Sequence, residues 1–311
     1  MQLNNNGILL ESGTNELEIV MFKVAQGTFG INVLKVREII NPLPITDTPN
    51  GHEHVEGVIR LRQEVIPVVD LAKVLNLPAS EEPKEDKFII SELNKMKVAF
   101  HVHSVSRIHR ISWEQIDKPS ELAQGHLSHT IGIVKLEDEM SLLLDFEKIV
   151  VDINPDTGLS VDRVKAMGVR ERSAKRICIA EDSAVLRKLL SDTLTEAGYT
   201  NLTFFENGKM AWEFLEGRAL EGKDAVAEVI DILITDIEMP QMDGHHLTLR
   251  CKESPQLQHI PIIIFSSLIT EDLFHKGEKV GAEAQISKPE IVQLVEKIDK
   301  LLAESQAQAT A

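Results

Sequence analysis

Cysteine is nearly absent from this chain, with two among 311 residues. That scarcity excludes a disulfide framework. Cys178 falls in a run read as a buried strand and Cys251 in a predicted helix, so both fit a reducing compartment. Tryptophan is equally rare, and Trp113 and Trp212 are read as packing residues rather than binding platforms. Positive charge is the minority sign: 33 Lys and Arg stand against 49 Asp and Glu, a formal net charge of −16. This balance argues against nucleic acid as a partner. No apolar run approaches the ~20 residues that cross a bilayer. Residues 1 to 18 lack the basic start and apolar core of a signal peptide. What remains is a cytoplasmic protein without direct membrane insertion, long enough for two domains, with 43% apolar and 26% charged residues.

What the sequence does have is a set of short apolar runs that end in reactive side chains. Ile232-Leu-Ile234 suits a strand buried on both faces, and Asp236 stands where that strand ends. Ligands of open α/β sheets bind at the carboxyl ends of the strands. Taken alone, Asp236 reads more readily as a solvated residue in a strand-to-loop turn, with Pro240 and Gly244 turning the chain away. Three further segments change the balance. Lys175 to Ser183 is an apolar strand ending in the adjacent acids Glu181 and Asp182, followed by a helix with Ser183 as N-cap and Gly198 as its stop. Ile260 to Ser267 ends in hydroxyls. Ala284 to Pro289 ends in Lys288 before a proline. Three carboxylates brought together repel unless a hard cation lies between them, and Mg²⁺ takes such oxygen ligands. Acid pair, Asp, hydroxyl and Lys, in that order, make up a phosphoryl-transfer inventory.

On these four elements, residues from about 175 to 303 resemble the receiver domain of two-component response regulators. The resemblance implies an α/β flavodoxin-like fold with a five-stranded parallel sheet. It also implies that Asp236 accepts a phosphoryl group from a histidine kinase. Glu181, Asp182, Asp236 and the backbone carbonyl of Glu238 would hold Mg²⁺, Ser266 would bond the phosphoryl oxygen, and Lys288 would pair with it. Two departures stand out: Glu181 occupies a position where Asp is common, and Gln285 one where many receivers carry an aromatic switch residue.

Residues 19 to 155 read differently. Short β-rich runs recur at 18–24, 30–36, 64–69, 98–102, 130–134 and 140–145, with turn residues between them. Many short strands suggest an all-β barrel or sandwich. Helices are expected near Val36 to Ile40 and Asp70 to Leu75, and Pro67 is expected to place its strand at an edge or bulge. The stretch Val55 to Leu71, two apolar strands joined at Arg62 and closing on Pro-Val-Val-Asp-Leu, resembles the CheW-like chemotaxis coupling domain. That likeness implies a double β-barrel of two five-stranded barrels that joins chemoreceptor cytoplasmic tips to the histidine kinase CheA, with Arg62 as a partner-binding residue. Gln63 stands where the family often has Gly, which implies a looser turn.

The predicted organisation is therefore a multidomain chain: a CheW-like domain over 1–155, a linker over 156–174 and a receiver over 175–311. Arg163, Lys165, Arg170, Arg172, Lys175 and Arg176 make the linker basic, either as a solvated helix or as a segment docked on an acidic receiver surface. His101 with His103, His52 with His54, His126 with His129, and His245 with His246 are read as surface histidines, with no carboxylate or thiol at ligand spacing. Residues 303 to 311 are read as a frayed tail. The two resemblances together imply a non-enzymatic chemotaxis adaptor regulated at Asp236, with CheA, receptor tips and CheW as partners, recruited to membrane-associated receptor arrays. Two alternatives stay open. One is a phosphate sink that drains CheA without altering adhesion. The other is a haloacid dehalogenase-type phosphohydrolase, disfavoured because Asp236-Ile-Glu-Met lacks that family's second Asp and following Thr or Val.

Overall fold

β-branched and aromatic residues in alternation set the first half of the chain. The computed structural model describes residues 16–94, 96–117, 129–136, 140–158, 161–168 and 170–309. They form two units, Glu16–Thr157 and the chain from Gly158 onward. In the first unit, β1 (Glu16–Val24), β2 (Gly27–Asn32), β8 (Ser104–Ser112), β9 (Ile116–Asp117), β10 (Thr130–Lys135) and β11 (Met140–Leu144) make a six-stranded sheet of order β8-β1-β2-β11-β10-β9. The second sheet has order β3-β6-β7-β5-β4, built from β3 (Val36–Ile40), β4 (Val55–Leu61), β5 (Glu64–Asp70), β6 (Lys87–Leu93) and β7 (Met96–Val102). Six strands rather than five in the first sheet come from β9, which is only two residues long. α1 (Leu71–Val74) follows β5 and α2 (Phe146–Ile153) follows β11. Phe146, fully buried at the start of α2, stacks against Phe100 at 4.1 Å and meets Phe22 edge-on at 6.0 Å, so one ring joins both sheets.

Some local expectations for this half are corrected. Val36 to Ile40 is strand β3, not helix: the single helical turn before it ends at Lys35, and β-branched Val36 takes extended angles and pairs with β6. β5 is an inner strand, so Pro67 is not at an edge. Its missing N–H is tolerated because pairing with β7 begins one residue later, at Val68↔Ala99. The turn at Arg62 is tight, since Leu61 pairs directly with Glu64, and Arg62 itself takes the left-handed φ of 57° that Gly would otherwise supply. Glycine is required elsewhere, at Gly57, where φ is 144° and a Cβ would lie 2.3 Å from the Thr46 carbonyl oxygen.

After α3 (Val161–Lys165), the second unit alternates strand and helix: β12 (Ser173–Ala180), α4 (Ala184–Glu196), β13 (Tyr199–Phe205), α5 (Gly208–Glu221), α6 (Lys223–Ala227), β14 (Ile232–Thr235), α7 (Gly244–Glu253), β15 (Ile262–Ser266), α8 (Glu271–Lys279), β16 (Ala284–Ser287) and α9 (Ile291–Ala309). The sheet is wholly parallel, of order β13-β12-β14-β15-β16. Its inner strands are apolar on both faces and buried along the continuous runs at 177–179 and 232–234. α4 and α9 cover one face through Leu190, Leu194, Leu294 and Ile298. α5 and α7 cover the other through Trp212, Leu215 and Leu247. Ser183 caps α4 by accepting the Leu186 N–H, and Gly198 follows the helix at φ 93°. α9 continues to Ala309, past the point where fraying was expected.

Gly244 sets the distance between this sheet and α7. A Cβ there would come within 1.9 Å of the Asp236 carbonyl oxygen, a backbone atom that cannot yield. Gly244→Ala is therefore expected to destabilise the second unit by about 1–3 kcal/mol through overpacking. Calorimetry of the full chain checks this. The transition of the second unit should fall while that of the first stays in place.

Candidate functional site

The strand order reverses between β12 and β14, and the loops after these two strands bring their carboxylates together. Glu181 and Asp182 follow β12 directly, and Asp236 follows β14. Carboxylate oxygens of all three lie within 4.8 Å of one another. Glu181 and Asp236 are 2% and 6% exposed, and Asp182 is half-buried. Lys288, after β16, reaches across the strand ends. Its Nζ lies 2.6 Å from Asp236 Oδ2 and 2.9 Å from Glu181 Oε2.

Backbone donors hold the acids in place. Asp236 Oδ1 accepts the Ile237 N–H at 2.6 Å, and Glu181 Oε1 accepts the Ser183 N–H at 3.1 Å. Arg187 donates to the carbonyls of Glu181 and Asp182, both at 2.8 Å, which fixes the loop that carries the pair. Ser266 ends β15 fully buried, and its Oγ accepts the Leu268 N–H at 3.2 Å. Glu238 lies two residues past Asp236, half-buried in the loop that Asp243 closes by capping α7. Each predicted site residue of this half thus stands at the same end of the sheet. Arg62 does not, because it belongs to the other unit; there it is 79% exposed and forms an ion pair with Glu38 at 3.3 Å.

Formal charges in the pocket are three carboxylates and one ammonium, a sum of −2 that one dication would cancel. Burial pushes the Glu181 carboxyl up to about 7, with Asp236 adding to the shift and Lys288 only partly opposing it. Burial also raises Asp182 well above the ordinary carboxylate range, with Glu181, Asp236 and Glu238 contributing. The chemistry of this donor set, hard oxygens with charge left over, fits Mg²⁺ held by Glu181, Asp182 and Asp236. One Glu181 oxygen meets Lys288 while the other takes the Ser183 amide.

Several polar features could not be read from sequence alone. His101 does have carboxylates beside it: Nδ1 meets Glu56 at 2.8 Å and Nε2 meets Asp86 at 3.0 Å. Burial works to lower its pKa, but the two acids outweigh that and raise it. The acids flank opposite ring nitrogens, so they bracket the ring rather than converge on one point. His103 Nδ1 accepts the Ala25 N–H at 2.8 Å. His245 is 1% exposed, not a surface residue, and burial lowers its pKa to about 4. His52 and His54 pack ring against ring at 4.8 Å, and His129 pairs with Asp152 at 2.9 Å. His126 lies outside the described residues. Gln285, in place of an aromatic, donates its amide to the Phe274 carbonyl of α8 at 2.6 Å. Trp212 is buried in the core beside Leu215 and Leu247, and Arg250 stands 4.5 Å over its ring.

Residues 18–154 match the CheW-like domain and residues 177–299 the response regulator receiver domain. The chemotaxis protein CheV3 of Helicobacter pylori is 32% identical over 303 residues, covering 93% of this chain and 95% of its own. CheV2 of the same organism is 26% identical over 314 residues, with coverage of 93% and 96%. The chemotaxis protein CheW of Thermotoga maritima is 29% identical over 150 residues, 48% of this chain and 98% of its own.

The raised Glu181 pKa has a signed consequence. Between about 4.5 and 7 the folded state keeps a proton that the unfolded chain has released, so metal-free stability falls as pH rises through that window. Mg²⁺ held there would displace that proton and remove the penalty. The gain in Tm on adding Mg²⁺ is expected to be larger at pH 7.5 than at pH 5.5, and Glu181→Gln should flatten the difference. A gain independent of pH in the unmutated protein would contradict this account.

Proposed function

Because the chain belongs to the CheV family of chemotaxis proteins, in which a CheW-like domain precedes a receiver, we propose that it is an adaptor coupling chemoreceptor tips to the histidine kinase CheA, switched by phosphorylation of Asp236. The observation that carries the switch is the buried Lys288 ammonium set between Asp236 and Glu181 at the carboxyl end of the sheet. An Asp236 carboxylate oxygen attacks the phosphorus of a kinase phosphohistidine. The P–N bond breaks, the imidazole leaves, and an acyl phosphate forms. Mg²⁺, held by Glu181, Asp182, Asp236 and the Glu238 carbonyl, would neutralise charge on the phosphoryl oxygens. Lys288 turns from Asp236 to a phosphoryl oxygen, and Ser266 exchanges its bond to Leu268 for one to the same group. Hydrolysis of the acyl phosphate resets the site.

The first unit carries the adhesive role, with Arg62 presented at an exposed, tight turn. Phosphorylation alters adhesion only if receptor or kinase binds the two receiver states with different affinity. Among the described residues no helix is long and apolar enough to cross a membrane. Association with receptor arrays therefore rests on these protein contacts, with CheW as a neighbour. A phosphate sink shares the same site but predicts equal adhesion in both states.

Incubating the full chain with Mg²⁺ and acetyl phosphate should add one phosphoryl-sized mass, absent without the metal and absent in Asp236→Asn. No gain in a folded protein would end the phosphoacceptor reading. Kinase and receptor binding compared before and after that gain separates the switch, which changes affinity, from the sink, which leaves it unchanged.

A further inference from the structure

The segment that leads into the receiver reaches the edge of the phosphoacceptor pocket. Val164 of α3 is 1% exposed and belongs to the receiver core with Leu190, Leu194 and Ile298, and Met167 packs against the same cluster. The residue before it, Arg163, donates Nη1–H to the Pro289 carbonyl at 3.0 Å. Pro289 is peptide-bonded to Lys288, whose side chain spans Asp236 and Glu181 and whose own N–H is held by the Ser266 carbonyl at 3.2 Å. The proline ring fixes φ and so removes one of the soft torsions between the Lys288 backbone and the carbonyl that Arg163 grips. Farther along, Arg170 Nε donates to the Ala197 carbonyl at 3.0 Å, and its guanidinium pairs with Asp299. The segment is therefore pinned to the receiver at two points.

Resting on the phosphoacceptor reading, we propose that Arg163 is a positioning residue for Lys288, and that α3 in turn registers whether Asp236 is phosphorylated. A guanidinium-to-carbonyl bond is charge-assisted and directional, so it restricts where the backbone of Lys288 and Pro289 can sit. When Lys288 moves from Asp236 to a phosphoryl oxygen, its backbone loads that bond. Coupling of this kind is reciprocal: what α3 does for the site, the site does for α3. Only residues 158 to 160 separate α3 from Thr157, the last residue of the first unit, whose carbonyl accepts a bond from Asn94 at 3.3 Å.

The test uses the full chain, Arg163→Ala and Arg163→Lys. Phosphoryl incorporation from acetyl phosphate, read by intact mass against time, should slow about three- to tenfold in Arg163→Ala, the size of one net hydrogen bond, and recover most of that in Arg163→Lys. The Mg²⁺ concentration giving half of the thermal stabilisation should stay unchanged, which general damage to the pocket would shift. Hydrogen exchange over 161–168 should respond to beryllofluoride with Mg²⁺ in the unmutated protein and not in Arg163→Ala. Wild-type incorporation by Arg163→Ala overturns the proposal, as does an unresponsive α3 in a chain that demonstrably forms the acyl phosphate. A wild-type chain that takes up no phosphoryl group removes the phosphoacceptor reading and this proposal with it.

Discussion

One ammonium against three carboxylates is the constraint on which the receiver half depends. Lys288 offsets one of the charges at Glu181, Asp182 and Asp236, and the remainder is held only because burial and mutual repulsion favour protonated acids. Such a pocket is poised rather than relaxed. It gains stability from whatever brings positive charge. The surrounding scaffold makes this tolerable. Strands buried on both faces, capped helices and backbone donors at Ile237 and Ser183 keep the repelling groups from moving apart.

The coupling half follows a different economy. His101 there is bracketed by Glu56 and Asp86, and its sheets meet through the rings of Phe22, Phe100 and Phe146.

The receiver was legible because a parallel sheet places the end of every strand on one side. Four short apolar runs, each ending in a functional residue, then predict a common site without any knowledge of distance. β-rich periodicity likewise located most strands of the first half. The misses share a physical cause: they depended on partners remote in sequence. Val36 to Ile40 becomes a strand because β6, fifty residues later, offers a ladder. Glu56 and Asp86 meet His101 from distant strands and loops, so ligand spacing along the chain could not find them. His245 is buried by α8, which nothing within its own helix announces. The linker's basic residues left a solvated helix and a docked segment both open; Arg163 and Arg170 bond the receiver directly, and the apolar signal that anchors the segment is little more than Val164 and Met167.

Where α3 touches the receiver also fixes a lever arm. β12 begins at Ser173, beside the Gly198 carbonyl, at the end of the sheet away from Asp236. Its eight residues, at about 3.3 Å each, put roughly 26 Å between that start and the acid pair. A chain that simply ran off β12 would have its pivot at the far end, where movements of the pocket are smallest. By folding back so that Arg163 meets Pro289, the chain enters the receiver at the end that carries Asp236.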